Sequence, residues 1–385
     1  MIRVLHTSDW HLGKTFEGTD FSLLEEQEAA LQELVELVQA EDFHLVVVAG
    51  DIFDHYLPPA TAQRLFYDTL AELSEGGKRP VVVIAGNHDS PDLLTSARGF
   101  TLNQGVVMAG RPGELEAWEH QTRNFRLVVR GPQLKIDFPQ GALTLFLLPY
   151  PSEVRLSGEG SLTNRLRSLA AYLPLGEVDV LLGHIFLERG ELAGSERQIL
   201  GDLAVLPREL LPPARIMALG HLHGYQRFRD ACYSGSIFPF SRQEARRRSK
   251  KFFSLIELPD EGEPRLEAIP ITRPKSVAVV TAETPDEALL LAEDRPKELV
   301  FLEISRPPSG PETIERLKKA FSGRLLGLRF APPQPSEAQL GPSDTRGLTD
   351  RDLFVEFYRR LYQKDPPEPL LSLFLRLMSQ VGEIA

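Results

Sequence analysis

The chain has 385 residues, of which 42% are apolar and 25% are charged, and its formal net charge is −11. A chain of this length and composition is a globular protein with more than one core, so we expect two or three domains. The acidic balance excludes nucleic-acid binding through an overall positive surface. No segment approaches the roughly 20 apolar residues of a membrane span and no signal-like apolar run follows the N-terminus, so we expect a cytoplasmic location.

The chain contains a single cysteine, Cys232. One cysteine cannot form an internal disulfide, and this usage is typical of a reducing compartment. Its neighbours, Ala231 and Tyr233, indicate a strand, and we interpret the thiol as a small packing group.

Short apolar runs rich in Val, Ile and Leu recur along the first two thirds of the chain, at residues 2–5, 45–49, 81–85, 180–182 and 216–219. Continuous apolar runs predict strands that are buried on both faces. Apolar residues at helical spacing lie between the first three runs, and Gly76 and Gly77 end the second of these helices. The order predicts a layered α/β domain.

The middle of the chain predicts more β structure. The segments FRLVVRG and QLKIDFPQGALTLFLLPY are typical of strands, the second with a turn at Pro139, Gln140 and Gly141. We expect either a mixed sheet or two packed sheets with helices outside, extending to about residue 270.

From Val277 the pattern restarts as strand, helix, strand, helix, strand, which predicts a small α/β domain up to residue 330. Residues 331–347 are rich in Pro, Ser and Gly and are interpreted as a linker. Residues 348–385 predict two helices broken at Asp365, Pro366 and Pro367. They carry more apolar surface than two short helices can bury against each other, which fits either a partner surface or docking onto the chain's own body.

The segment RQEARRRSKK, residues 242–251, holds six basic side chains and one Glu. It is either a solvated helix face or a local phosphate contact. The candidate contacts are Arg246, Arg247, Arg248, Lys250 and Lys251.

Each of the five apolar runs ends in side chains that can bind metal. They are Asp9 and His11 after the first run, Asp51 and Asp54 after the second, Asn87, His88 and Asp89 after the third, His184 after the fourth, and His221 and His223 after the fifth. One such residue is usually a cap or a surface group, but the carboxyl ends of strands in an α/β sheet converge on a ligand site. Five together therefore predict a single site.

The types of side chain indicate which ions would bind. Imidazole with carboxylate and amide oxygen suits Mn, Fe, Zn or Ni, whereas Mg and Ca prefer oxygen throughout. A carboxylate can bridge two ions, and a two-metal site can hold both the attacking and the leaving oxygen of a phosphoryl transfer.

The motifs DWH, GDIFD, GNHD, GH and GHLH, in this order, resemble the calcineurin-like metallophosphoesterase family. HTSDWHLG, ALGHLH, YSGSIFPFS and the added domains are similar to its bacterial nuclease branch, which works with the SMC-like ATPase SbcC. The resemblance implies a layered β-sandwich flanked by helices at 1–270, a small α/β capping domain at 275–330, and a C-terminal helical pair at 348–385 that binds the SbcC coiled coil.

The resemblance also implies site roles. One metal would be held by Asp9, His11, Asp51 and His223, and the other by Asp51, Asn87, His184 and His221, with Asp51 as the bridge. His88 matches the position that contacts the phosphate and assists the leaving oxygen. We expect Asp89 to orient the His88 imidazole, and Asp54 stands where archaeal and eukaryotic relatives have a histidine. His6 and His55 are open candidates for supporting positions.

The implied function is a Mn-dependent DNA nuclease with two metal ions, acting as a 3′ to 5′ exonuclease on duplex DNA and as an endonuclease near hairpins. The implied partners are DNA, SbcC in a heterotetramer, and a second copy of the chain, at the nucleoid. Two alternatives use the same fold: a small-molecule phosphodiesterase or phosphatase, and a scaffold that has lost its metals. The complete ligand set disfavours the scaffold.

Overall fold

The computed structural model describes residues 1–170, 178–188, 190–193, 205–294, 297–306, 310–330, 349–362 and 364–382. Its contacts divide the chain into two compact units, Met1–Ala278 and Val279–Ala385. The linker expected at 331–347 lies outside the described residues.

The first unit is built mainly from two sheets. Its strands are β1 (Ile2–Thr7), β2 (Leu45–Ala49), β3 (Val81–Ile84), β4 (Val106–Ala109), β5 (Trp118–Gln121), β6 (Arg126–Arg130), β7 (Gln133–Phe138), β8 (Gly141–Leu148), β9 (Val178–His184), β10 (Phe186–Leu187), β11 (Val205–Leu206), β12 (Ala214–Gly220), β13 (Gln226–Arg227), β14 (Ala231–Tyr233), β15 (Phe252–Leu258) and β16 (Arg265–Pro270). Its helices are α1 (Leu24–Ala40), α2 (Ala60–Ser74), α3 (Pro91–Thr95), α4 (Arg98–Thr101), α5 (Leu162–Ala170) and α6 (Arg242–Arg246).

Both sheets are mixed. The six-stranded sheet has the order β16-β15-β1-β2-β3-β4, in which β1 to β4 are parallel. The eight-stranded sheet has the order β13-β14-β12-β9-β8-β7-β6-β5, with β8, β9, β12 and β14 parallel. Of the two architectures expected from the sequence, two packed sheets with helices outside is therefore confirmed.

Strand β2 shows why the central runs are apolar throughout. Val46 and Val48 pack into the cluster that α1 and α2 cover, whereas Val47 and Ala49 pack into the cluster between the two sheets. Burying a side chain such as Val contributes about 1.5 to 3 kcal/mol, so each face of the strand adds to stability. A third cluster fills the outer face of the second sheet under α5.

Strand β8 links the two parts of the eight-stranded sheet. It forms the expected hairpin with β7 and then pairs in parallel with β9, Leu145 opposite Val180 and Leu148 opposite Gly183. Because of this parallel pairing, the carboxyl end of β8 lies beside the carboxyl end of β9. The sequence predicted the hairpin but not this second pairing.

The second unit has the expected order of strands and helices. These are β17 (Val277–Ala282), α7 (Pro285–Asp294), β18 (Leu299–Ile304), α8 (Pro311–Ala320) and β19 (Leu325–Phe330), followed by α9 (Asp350–Tyr362) and α10 (Glu368–Gly382). The three strands form one sheet.

The C-terminal helices pack on each other through Phe354 and Phe374, whose rings stack with centroids 4.1 Å apart. Phe357, Leu370 and Leu373 remain 59%, 39% and 41% exposed. The pair therefore presents apolar surface as well as burying it. Within the described residues, no helix combines the length and apolar character that crossing a membrane requires.

Cys232 gives a chemical probe of the sandwich. Its side chain is fully buried in β14, 3.6 Å from His6 Nδ1, and burial raises the pKa of the thiol to about 12. Since the thiolate is the reactive form, we expect a thiol reagent to leave the folded protein unmodified and to label it completely in denaturant. Mass spectrometry would count the adducts, and rapid labelling of folded protein at neutral pH would contradict the structure.

Candidate metal centre

The loops after five parallel strands meet at one edge of the sandwich. The loops after β1 and β2 are joined by hydrogen bonds from the amide of Asp9 to the carbonyl of Gly50, at 3.0 Å, and from the amide of His11 to that of Asp51, at 2.9 Å. The amide of His221, after β12, donates to the Asp9 carboxylate at 3.0 Å and so joins the second sheet to the first. The structure thus brings the predicted ligands together.

The first group consists of Asp9, His11 and His223, which are all buried and offer ligand atoms that lie within 4.8 Å of one another. The Nε2 atoms of His11 and His223 are 3.0 Å apart. Two imidazole nitrogens that face each other across this distance are placed to share one cation.

The second group consists of Asp51, His184 and His221, again within 4.8 Å. The amide oxygen of Asn87 lies 3.0 Å from His184 Nε2 and 3.0 Å from His221 Nδ1. His184 Nδ1 donates to the carbonyl of Ala49 at 2.8 Å, which leaves Nε2 as the nitrogen that can bind metal.

Asp51 lies between the two groups. Its Oδ2 atom is 3.5 Å from His11 Nε2 and 3.5 Å from His184 Nε2. Carboxylate, amide oxygen and imidazole together are the donors that borderline divalent ions prefer. The side chains present therefore fit two such ions that share one carboxylate.

The buried charges influence one another strongly. Burial alone would lower the pKa of His184, but the negative charge of Asp51 raises it to about 9. Burial raises the pKa of Asp9 to about 8, against the opposing charge of His184. Burial also tends to raise the pKa of Asp51, but the charges of His184 and His88 hold it well below its usual value. Metal binding must therefore displace protons from the site.

Backbone strain is concentrated here. Six non-glycine residues among those described have positive φ, and four of them are Asp9, His11, Asp51 and His221, at 52°, 46°, 50° and 100°. Such a conformation costs about 1 to 3 kcal/mol per residue and persists only where the surroundings fix it. The strain is consistent with loops shaped for a site rather than for stability.

His88 lies at the rim of the first group. Its ring centroid is 4.7 Å from that of His11, and the residue is 8% exposed. Its Nδ1 donates to the backbone carbonyl of Asp54 at 2.9 Å. That bond fixes the ring and leaves Nε2 as the nitrogen that can exchange a proton.

The role expected for Asp89 is wrong. Its carboxylate accepts hydrogen bonds from the amides of Ile52, Phe53 and Gly86, at 3.1, 2.9 and 2.8 Å, and the His88 imidazole bonds instead to the carbonyl of Asp54. Asp89 is fully buried, and it joins the loop after β3 to the loop after β2. The sequence could not show this, because a carboxylate beside an imidazole in the chain also fits the simpler local contact.

Asp54 supports the first group from behind. Its Oδ1 lies 3.4 Å from His11 Nδ1 and 2.5 Å from Lys14 Nζ, and its Oδ2 lies 3.3 Å from His55 Nε2. Burial alone would raise the pKa of Asp54, but His11 and Lys14 hold it well below its usual value. Lys14 was not singled out in the sequence. His6 lies instead inside the sandwich, beside Cys232.

The basic residues at 246–251 differ in their exposure to solvent. Arg246, Arg247, Arg248 and Lys250 are exposed. Lys251, expected to contact DNA, is only 6% exposed. Its Nζ donates to the carbonyl of His223 at 3.0 Å and lies 2.5 Å from Glu244 Oε1. The expectation for Lys251 is therefore wrong, because its charge is already neutralised inside the fold.

Gly86 lets the loop after β3 approach Asp51 closely. A Cβ atom there would lie 2.1 Å from Asp51 Oδ1 and 2.2 Å from the Asp51 amide, far inside contact distance. Asp51 would have to move, and it is the group shared by both clusters.

We therefore expect Gly86→Ala to lower the affinity for divalent metal about 10- to 100-fold, the range typical of changes that displace a ligand's support. Titration calorimetry would measure it. The matched control is Gly99→Ala, because a Cβ at Gly99 meets nothing within 4 Å. Equal metal binding by the two variants would contradict the close packing of Gly86 against Asp51.

Comparisons with known proteins identify the family of the chain. The family model described as calcineurin-like phosphoesterase matches residues 2–225. The chain is 31% identical over 412 residues to the SbcD component of the nuclease SbcCD from Bacillus subtilis, covering 99% of each chain. It is 32% identical over 400 residues to a protein of the same name from Rhodobacter capsulatus, covering 92% of this chain and 94% of that one.

Among solved structures, a dimetal phosphatase from Danio rerio is similar at 16% identity, with a TM-score of 0.42 over 71% of this chain and 99% of that one, a likeness too weak to bear on the site. The family match and these two relatives show that the chain belongs to the calcineurin-like phosphoesterase family and, within it, to the SbcD nucleases.

Proposed function

We propose that the chain is a two-metal, Mn-dependent DNA nuclease that cuts duplex DNA 3′ to 5′ and cleaves hairpins and single strands internally. The observation that carries the proposal is the position of Asp51, whose Oδ2 is 3.5 Å from an imidazole of each ligand group. A shared carboxylate with imidazole and amide ligands on both sides is suited to phosphoryl transfer.

In this proposal one ion is held by Asp9, His11, Asp51 and His223. The other is held by Asp51, Asn87, His184 and His221. The bound ions would supply Lewis-acid stabilisation of the charge that develops on a phosphodiester. Mn fits the mixture of nitrogen and oxygen donors.

Among the chain's own residues, His88 is the proposed proton donor. Its Nδ1 is occupied by the Asp54 carbonyl at 2.9 Å, so only Nε2 is available to the substrate. A protonated Nε2 can donate to the 3′ oxygen as the bond to phosphorus breaks, which is general-acid catalysis. The His88 ring centroid lies 4.7 Å from that of His11, and this short distance supports a proton donor beside the proposed metal ligands.

An acidic chain needs local positive charge to bind DNA. The exposed residues of the basic segment, Arg246, Arg247, Arg248 and Lys250, are proposed as phosphate contacts, since phosphate contacts position DNA without reading its sequence. The α/β domain at 275–330 is proposed to cap the bound DNA.

The helical pair at 348–385 is proposed to bind the coiled coil of SbcC in a heterotetramer. The exposed Phe357, Leu370 and Leu373 support this proposal, because helix-in-groove recognition uses apolar side chains at helical spacing. The assembly would include a second copy of the chain and act on DNA at the nucleoid of the cytoplasm.

The test is cleavage of end-labelled hairpin and linear duplex DNA in Mn, with and without SbcC and ATP. We expect His88→Ala to lower cleavage about 10²- to 10⁴-fold, the usual contribution of general acid catalysis, while metal binding is retained. His120→Ala is the matched control, since His120 stacks on Trp118 in the edge strand β5.

The same reactions separate the alternatives. Cutting in Mn that His88→Ala lowers to this extent, and that SbcC with ATP extends into long duplex, supports the proposal. If DNA stays intact in every mixture while a small phosphodiester is hydrolysed, the chain is instead a small-molecule phosphodiesterase or phosphatase of the family.

A further inference from the structure

The loop that follows β8 places one guanidinium against the backbone of the loop after β3. Arg155 Nη1 donates to the carbonyl of Gly86 at 2.6 Å. Its Nη2 donates to the carbonyl of Asp89 at 2.7 Å and lies 3.4 Å from that of Asn87. One side chain thus contacts three carbonyls of the four residues 86–89, the segment that carries Asn87 and His88.

The loop that carries Arg155 is itself attached to the site. The amide of Tyr150 donates to the carbonyl of Ala85 at 2.9 Å, at the end of β3. The ring centroid of Tyr150 lies 6.2 Å from those of His184 and His221, and the Arg155 guanidinium is 5.6 Å from the same ring centroid. Sequence patterns could not indicate this arrangement, because it depends on the parallel pairing of β8 with β9.

Residues 86–89 are therefore held from two directions. On one side, the Asp89 carboxylate binds the amides of Ile52, Phe53 and Gly86. On the other side, Arg155 binds the carbonyls. A planar guanidinium can donate several hydrogen bonds in a fixed arrangement, and this suits it to hold a backbone segment in one conformation.

We propose that Arg155 is a positioning residue for the second metal ion and for His88. It acts through the backbone of residues 86–89 and touches neither ion nor substrate. Loss of Arg155 frees the peptide that aims the Asn87 amide oxygen at His184 and His221, so the second group loses its preorganised oxygen donor. This inference rests on the proposed two-metal function and identifies what fixes half of that site.

The test uses a matched pair of arginines. Arg79 also binds three backbone carbonyls, those of Phe43, Leu73 and Val38, at 2.8, 2.9 and 3.1 Å, and it contacts none of the candidate ligands. Arg155→Ala and Arg79→Ala remove the same kind of contact from two places. Titration calorimetry with Mn would resolve the two binding events in each protein without any need for DNA.

We expect Arg155→Ala to weaken one of the two binding events about 10- to 100-fold, the range found when residues that orient metal ligands are removed. Arg79→Ala should bind both ions as the unchanged chain does, even where its thermal stability falls. Millimolar guanidinium should restore the lost metal affinity of Arg155→Ala but not that of Asn87→Ala. Only Arg155→Ala leaves a space with the shape of a guanidinium group.

Arg155→Lys keeps the charge but cannot span three carbonyls, and an intermediate loss is expected. Arg155→Lys also serves as the test variant if Arg155→Ala fails to fold. Wild-type affinity for both ions in the Arg155 variants, or an equal loss in Arg79→Ala, would overturn the proposal. If the unchanged chain binds two ions and Arg155→Ala binds one, but neither cuts DNA, the positioning role stands and the DNA assignment fails.

Discussion

The site depends on one carboxylate held between two sets of imidazoles. Asp51 is 2% exposed, and its Oδ2 is equally close to His11 and His184. A buried charge of this kind is unfavourable unless opposite charge compensates it, and here the compensation comes from His184 and, in the proposed function, from two bound cations. The left-handed backbone of Asp51 and the missing side chain at Gly86 both follow from the need to place this group.

The sandwich supplies the rigidity that such a site requires. Strands β1, β2 and β3 end at one edge of the first sheet, and β8, β9 and β12 end at the adjoining edge of the second. The strands are fixed by apolar clusters on both faces, so the strained loops do not have to contribute stability. Catalytic precision and folding stability therefore reside in different parts of the same unit.

Much of this could be predicted from the sequence, because apolar runs that end in Asp, Asn or His indicate both a buried strand and a candidate ligand. That pattern singled out every member of the two candidate ligand groups. It could not identify contacts that depend on long-range pairing: Lys14 with Asp54, Lys251 with Glu244, or Arg155 with residues 86–89. Lys251 was misassigned because composition indicates where charge is abundant, whereas burial decides whether that charge is available. Asp89, which follows His88 directly in the sequence, was misassigned for a similar reason, since neighbours in the chain need not be partners in the fold.

The central claim is that two ions share Asp51, and electron paramagnetic resonance of the Mn-loaded protein tests it most directly. At two Mn per chain, a bridging carboxylate should give an exchange-coupled spectrum, and Asp51→Asn should abolish the coupling or the binding of one ion. Two uncoupled Mn signals in the unchanged chain, or saturation at one ion, would contradict the account.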